Sequence, residues 1–305
     1  MRIPTASVMM AAALLGSTVA GAQIQIPDEA RVQKVAPGLH VIMGVGGNVA
    51  LVTGPDGVLL VDDDMPPLAP KIAAAIATVT EQPVSFVFNT HWHFDHAGGN
   101  RYFAERGAII VAQDNVHKRL SEKQFSRLTG TETPPAPAVA QPVISFADSL
   151  SFHLNGLTIR AEHVAQPAHT DGDAVVFFDD LNVVHMGDTF FNGRYPVIDL
   201  SAGGTAEGML AAVDAVLPRL DAATVVIPGH GPVTDRAGLQ AFRDMLGTVN
   251  QRITGLLREG KTADEVIALR PTVDYDEQWA WSFMPPERWT RLMYDSAVAS
   301  AAEEN

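Results

Sequence analysis

Short runs of branched apolar residues alternate with segments of helical period along most of this chain, the pattern of an α/β protein. Leu39 to Met43, Val49 to Thr53 and Val58 to Asp62 read as strands, the last two joined by the turn Gly54-Pro55-Asp56-Gly57. The Ala/Ile-rich stretch Lys71 to Val79 predicts a helix, Val84 to Phe88 a strand, Asn100 to Arg106 a short helix and Ile109 to Ala112 another strand. From Phe125 to Pro142 the pattern breaks. Gly130, Pro134, Pro135, Pro137 and Pro142 predict a long irregular loop, of the kind that often covers a site. Strands then follow at Leu157 to Ala161, Ala174 to Phe178, Asn182 to Met186 and Thr224 to Pro228, with helices near Ala206 to Leu217 and Leu239 to Leu257. Thr262-Ala263-Asp264-Glu265 fits a capping box that opens a further helix. The tail beyond it carries Trp279, Trp281, Phe283, Trp289 and Tyr294, either packing against the domain or walling a pocket.

The N-terminus differs from all of this. Met1-Arg2, the apolar stretch Val8 to Leu15 and the small residues Ala20-Gly21-Ala22 have the layout of a secretory signal. Residues 1–22 are therefore expected to be removed and the protein to be periplasmic or secreted. No other stretch is apolar enough to span a membrane. Residues 23–305 suit one domain with a helical, aromatic-rich C-terminal extension over about 262–305. The chain has no Cys, which excludes a disulfide framework, a thiolate metal site and a thiol nucleophile. Its formal charge of -14, with no dense Lys/Arg run, argues against nucleic acid as a partner. Oligomeric state leaves no signature here.

The chemistry sits where strands end. Val84 to Phe88 runs into Thr90-His91-Trp92-His93-Phe94-Asp95-His96, Asn182 to Met186 is followed by Asp188, and Thr224 to Pro228 by Gly229-His230. Residues just beyond neighbouring strands of one sheet converge in space. His169, in His169-Thr170-Asp171-Gly172-Asp173, lies just before the strand at Ala174. Five His and two Asp result, borderline and hard donors suited to Zn2+, enough for two ions that each keep a place for water. In an extended loop His91 and His93 point the same way and can grip one ion, while Asp95 and His96 reach a second. Two dications outweigh Asp95, Asp188 and a bridging hydroxide, which favours a small anionic substrate or an oxyanion forming in the transition state.

This pattern resembles the metallo-β-lactamase superfamily. The motif His-x-His-x-Asp-His matches His91, His93, Asp95 and His96, and the later ligands match His169, Asp188 and His230, over about Gly38 to Gly231. The resemblance implies a four-layer αββα sandwich with two Zn2+ ions at one edge of its sheets, ahead of iron or manganese. It assigns His91, His93 and His169 to one zinc, Asp95, His96 and His230 to the other, and makes Asp188 the bridge. Zinc-bound water, its pKa lowered to about 7, would be the nucleophile, with Asp95 orienting it or carrying its proton. Asp62 and Asp173 have claims as carboxylates steadying ligands from behind; Asp62 also reads as a strand-ending surface residue. Substrate contacts are expected from Asn48, in the turn Val45-Gly46-Gly47-Asn48, and from Phe190, Asn192, Arg194 and Tyr195, although an exposed Arg is often merely solvated. His40, His117, His153, His163 and His185 are expected to be structural.

Within the superfamily the features pull apart. Subclass B1 lactamases carry Cys where this chain has Asp188, Arg where it has His96, and Lys where it has Phe191. Subclass B3 lactamases share the His96 type of ligand and usually lack the bridging Asp. Glyoxalase II thioesterases and lactonases share all seven ligands, whereas export resembles the lactamases. The expectation is a β-lactam- or lactone-opening hydrolase, the alternative a glyoxalase II-like thioesterase. An iron-dependent sulfur or redox enzyme of this fold is disfavoured by His93, where flavodiiron oxidases carry Glu, and by retention of all seven ligands. That retention also argues against a non-catalytic zinc-binding protein, and the acidic charge against a nuclease.

Overall fold

The computed structural model describes residues 30–43 and 46–303, so the expected signal at 1–22 and Val45 lie outside the described residues. The first sheet runs β1 (Arg31–Ala36), β2 (Leu39–Met43), β3 (Val49–Val52), β4 (Val58–Val61), β5 (Val84–Asn89), β6 (Ile109–Gln113) and, after a separate hairpin β7 (Gln124–Ser126) and β8 (Thr131–Thr133), β9 (Ile144–Phe146). The second runs β10 (Ser149–Leu154), β11 (Leu157–His163), β12 (Ala174–Phe178), β13 (Val183–His185), β14 (Val225–Ile227) and β15 (Thr234–Asp235). Pairing is parallel among β4, β5, β6 and β9 and between β13 and β14, and antiparallel elsewhere.

Period-two alternation sorts the core into layers. Leu59 and Val61 of β4 meet Ile159, Val176 and Ile227 of the second sheet. Val58 and Leu60 face the other way, onto Ile72 and Ile76 of α1 (Ala69–Ala77) and Phe103 of the short helix at Asn100–Ala104. Val175 and Phe177 of β12 pack outward against Met209 and Val213 of the helix Ala206–Val216 and Phe242 and Leu246 of the helix Arg236–Arg258. Helix, sheet, sheet, helix is the αββα sandwich expected. A strand buried on both faces reads as a continuous apolar run, which is why β3 and β4 hold no polar residue.

The structure corrects one expectation and bears out another. The stretch 125–142 is not wholly irregular: β7 and β8 pair as a hairpin whose turn has Gly130 at φ 68, and the prolines lie beyond it. The tail packs against the domain, the first of the two readings its aromatics offered. Trp279 and Trp289 are buried in the outer core, and Trp289 stacks on Tyr195 with ring centroids 3.9 Å apart. Among the described residues, no helix is long and apolar enough to cross a membrane.

Candidate metal centre

The C-terminal ends of three strands create the site, and they do not belong to one sheet as expected: β5 lies in the first sheet, β13 and β14 in the second. β5 runs into His91, β13 into the turn Gly187–Thr189 that carries Asp188, and β14 into Gly229-His230. The start of β12, antiparallel to β13, brings His169 to the same edge, where the Ala174 N–H donates to the Thr90 carbonyl and ties the two sheets. The loops must approach closely. A Cβ on Gly229 would collide with Asp188 Oδ1 and the Gly187 backbone, so only glycine admits the chain beside the carboxylate.

All seven expected donors converge. His91, His93 and His169 form one triad, Asp95, His96 and His230 another, and His91, His96 and Asp188 a third that links them; within each, the donor atoms lie within 4.8 Å of one another. Asp188 Oδ2 lies 3.4 Å from His169 Nε2 and 3.3 Å from His230 Nε2, and Oδ1 lies 3.1 Å from His96 Nε2. Burial is one-sided. His91, His96, His169 and Asp188 are closed to solvent, while His93, Asp95 and His230 expose 18%, 23% and 10% of their side chains and line the open side.

Hydrogen bonds behind the rings set their tautomers, as inferred from partner chemistry. Asp199 Oδ2 is 3.0 Å from His93 Nε2 and the Val197 carbonyl is 2.8 Å from His169 Nδ1; each must accept an N–H. The lone pairs of His93 Nδ1 and His169 Nε2 are thereby turned on each other at 2.7 Å. Asp62 Oδ2 accepts from His96 Nδ1 at 2.8 Å, which leaves His96 Nε2 facing His230 Nε2 at 3.2 Å. Thr90 Oγ1 donates to Asp62 and so accepts from His91 Nδ1, leaving His91 Nε2 buried without a partner. Inward lone pairs repel unless a cation or proton lies among them. The donor set therefore fits metal ions on its own geometry.

The electrostatics agree. Burial would raise Asp188, but the imidazoles of His230, His96 and His169 outweigh it and hold the carboxylate well below its usual range. Burial opposes charge on His96 and His230 too, yet Asp188 and its neighbours raise both, His230 to about 9. Desolvation dominates at His91, which is lowered well below its ordinary value, and at His169, lowered to about 4.

The other named residues divide. Asp62 is buried, accepting from Thr90 N, Thr90 Oγ1 and His96. Asp173 accepts from the backbones of His169 and Thr170 and from Thr170 Oγ1, and burial pushes it up to about 7. Asn48 is buried, its amide tied to the Pro228 and Gly231 carbonyls, so it braces the His230 loop. Phe190 and Tyr195 are corrected: both are fully buried, Phe190 against Phe242, and Tyr195 under Trp289 with its hydroxyl on Asp276 Oδ1 at 2.8 Å. Asn192 Nδ2 bonds the Pro232 carbonyl, and the Arg194 guanidinium lies 5.2 Å over the Trp281 ring. Sequence reasoning missed Asp199, which carries no local signal, and Phe94, which lies inside the motif and is 58% exposed between two open-side ligands.

Residues 42–230, more than half of the chain, match the family described as the metallo-beta-lactamase superfamily, and the chain belongs to it. The chain is 31% identical to the probable metallo-hydrolase YqgX of Bacillus subtilis (strain 168), over 48% of this chain and 68% of that protein. It is 23% identical to the linear primary-alkylsulfatase of Pseudomonas sp. (strain ATCC 19151), over 71% of this chain and 48% of the relative, so it spans about half of that protein. A metallo-beta-lactamase from Pontibacter korlensis has the same fold, with a TM-score of 0.59 at 19% identity over 72% of this chain and 99% of that one. The chain is a metallohydrolase of this superfamily.

Proposed function

We propose that the protein is an exported hydrolase with two zinc ions that cleaves an amide or ester bond in a small anionic molecule, with β-lactam or lactone rings the foremost substrates. The observation that carries this reading is the convergence of two donor triads on one shared carboxylate, Asp188. His91, His93 and His169 would hold one ion, Asp95, His96 and His230 the other, with Asp188 between them. Bound there, the pair supplies a Lewis acid and a water acidified toward neutral pH. The buried floor of His91, His96 and His169 excludes bulk water from beneath the site. Asp95, the more exposed carboxylate donor, would take a proton from attacking water and pass it to the leaving atom. Phe94 offers an apolar contact beside it.

A thioesterase is the second reading, favoured by Asp188 standing where B1 lactamases carry Cys. The alkylsulfatase match adds sulfate esters as a substrate class to test. Zinc-loaded and chelator-stripped protein should be assayed side by side on a chromogenic cephalosporin, an acyl-homoserine lactone, a glutathione thioester and an alkyl sulfate. Zinc-restorable turnover of the lactam or lactone is expected, lowered about 100-fold or more in Asp95→Asn. Turnover of the thioester alone or the sulfate alone would move the assignment to that class, and none on any substrate would overturn it.

A further inference from the structure

The run Asp62-Asp63-Asp64 is fully buried; Asp62 meets the His96 ring with its side chain, and the Asp63 N–H donates to the His96 carbonyl at 2.9 Å. Asp63 Oδ1 accepts from the Gly99 N–H. Asp64 points elsewhere: its Oδ2 accepts from Gly46 N at 2.9 Å and its Oδ1 from Met65 N at 2.7 Å, while its carbonyl accepts from Gly99 N at 2.9 Å. Its φ of 63 lies in the left-handed region, where glycine is the easier residue. A carboxylate kept in such a conformation, and buried, is used through its side chain.

What it grips lies on the metal centre. A Cβ on Gly46 would strike Asp64 Oδ1, and a Cβ on Gly47 would stand 2.8 Å from His96 Nε2, so this backbone rests against the metal-facing edge of the His96 ring. One residue on, Asn48 donates from its backbone to the Gly229 carbonyl at 2.8 Å and from its side chain to the carbonyls of Pro228 and Gly231, on either side of His230. The segment 46–48 therefore bridges from His96 to His230, tied at one end by Asp64 and at the other by Asn48.

We propose that Asp64 is a positioning residue that fastens the segment 46–48 over the half-site of Asp95, His96 and His230 and so sets the space beside His96 Nε2. The inference rests on the reading of those three residues as one ion's ligands. With the anchor in place, the glycine backbone closes that flank of the half-site, and approach is left to the side where Asp95 and His93 are exposed. Without it, the segment can lift and water can enter beside His96.

Asp64→Gly removes the carboxylate while permitting the same backbone conformation, and Asp64→Asn keeps one oxygen acceptor. Two readouts are independent of turnover: hydrogen exchange at the amides of 46–48, and stepwise zinc affinity by competition with a chromogenic chelator. The proposal expects Asp64→Gly to exchange faster there and to bind the second zinc about 10- to 100-fold more weakly, with the first little changed and Asp64→Asn intermediate. Wild-type exchange in Asp64→Gly, or faster exchange with unchanged affinity for the second zinc, would overturn it. If Asp64→Gly fails to fold, Asp64→Asn carries the same comparison. Wild-type protein that binds one zinc only would sink the two-ion reading itself, while the exchange rates would still decide whether Asp64 anchors the segment.

Discussion

At the scale of single residues, the centre is organised by what stands behind each imidazole. Asp199, Asp62, Thr90 and the Val197 carbonyl each take an outward N–H, and each thereby turns a lone pair inward. Replacing Asp199 by Ala should weaken the first zinc about 10- to 100-fold in a chelator competition, with Asp199→Asn milder because its amide oxygen can still accept. Protons compete with ions for the same faces. Burial opposes charge on His230, but Asp188 and Asp95 push it up to about 9, so the stability from that pairing is complete below the ordinary value of 6.5 and lost as pH rises through about 9. Zinc binding at pH 7.5 should therefore release protons, and affinity for the second ion should rise with pH toward 9; calorimetry in buffers of different ionisation enthalpy reads both. His91 to His96 was legible because its spacing is local. Asp199 was not, because its role exists only once the chain after Asp188 has curled back beneath His93.

At the scale of elements, the C-terminal extension behaves as core. Trp289 and Trp279 join the cluster that covers the second sheet, and the Trp281 indole donates to the Tyr195 carbonyl. Trp289→Ala should cost about 3–5 kcal/mol in denaturant unfolding. Loss of the capping box in Thr262→Ala, where Thr262 Oγ1 accepts from Glu265 N and Glu265 answers to Thr262 N, should cost about 1 kcal/mol. This layer also explains why Phe190 and Tyr195 looked like substrate contacts. Loop residues after a strand face solvent only if nothing packs on them, and the covering helices lie far along the chain. Strong apolar alternation made the central strands legible. β1, where the exposed Arg31, Gln33 and Lys34 interrupt the apolar residues, and the polar helix at Asp114–Ser121 left no such pattern.

At the scale of the whole molecule, the sandwich acts as a frame that turns strand ends into neighbours. Two sheets share an inner core from Leu39 to Ile227, and the edge where β5, β13 and β14 finish collects ligands from four separate loops. The set of ligands was legible because each followed or preceded a recognisable strand. How they divide came from the resemblance; in the structure the donors form three overlapping groups, two of that composition and one, His91, His96 and Asp188, joining them. The central claim is that this edge holds two ions through Asp188, and zinc titration of chelator-stripped protein, read as bound metal per chain, tests it most directly. The account predicts two equivalents for the wild type and a loss of at least one in Asp188→Ala. Less than one equivalent bound by the wild type, or two retained without Asp188, would contradict it.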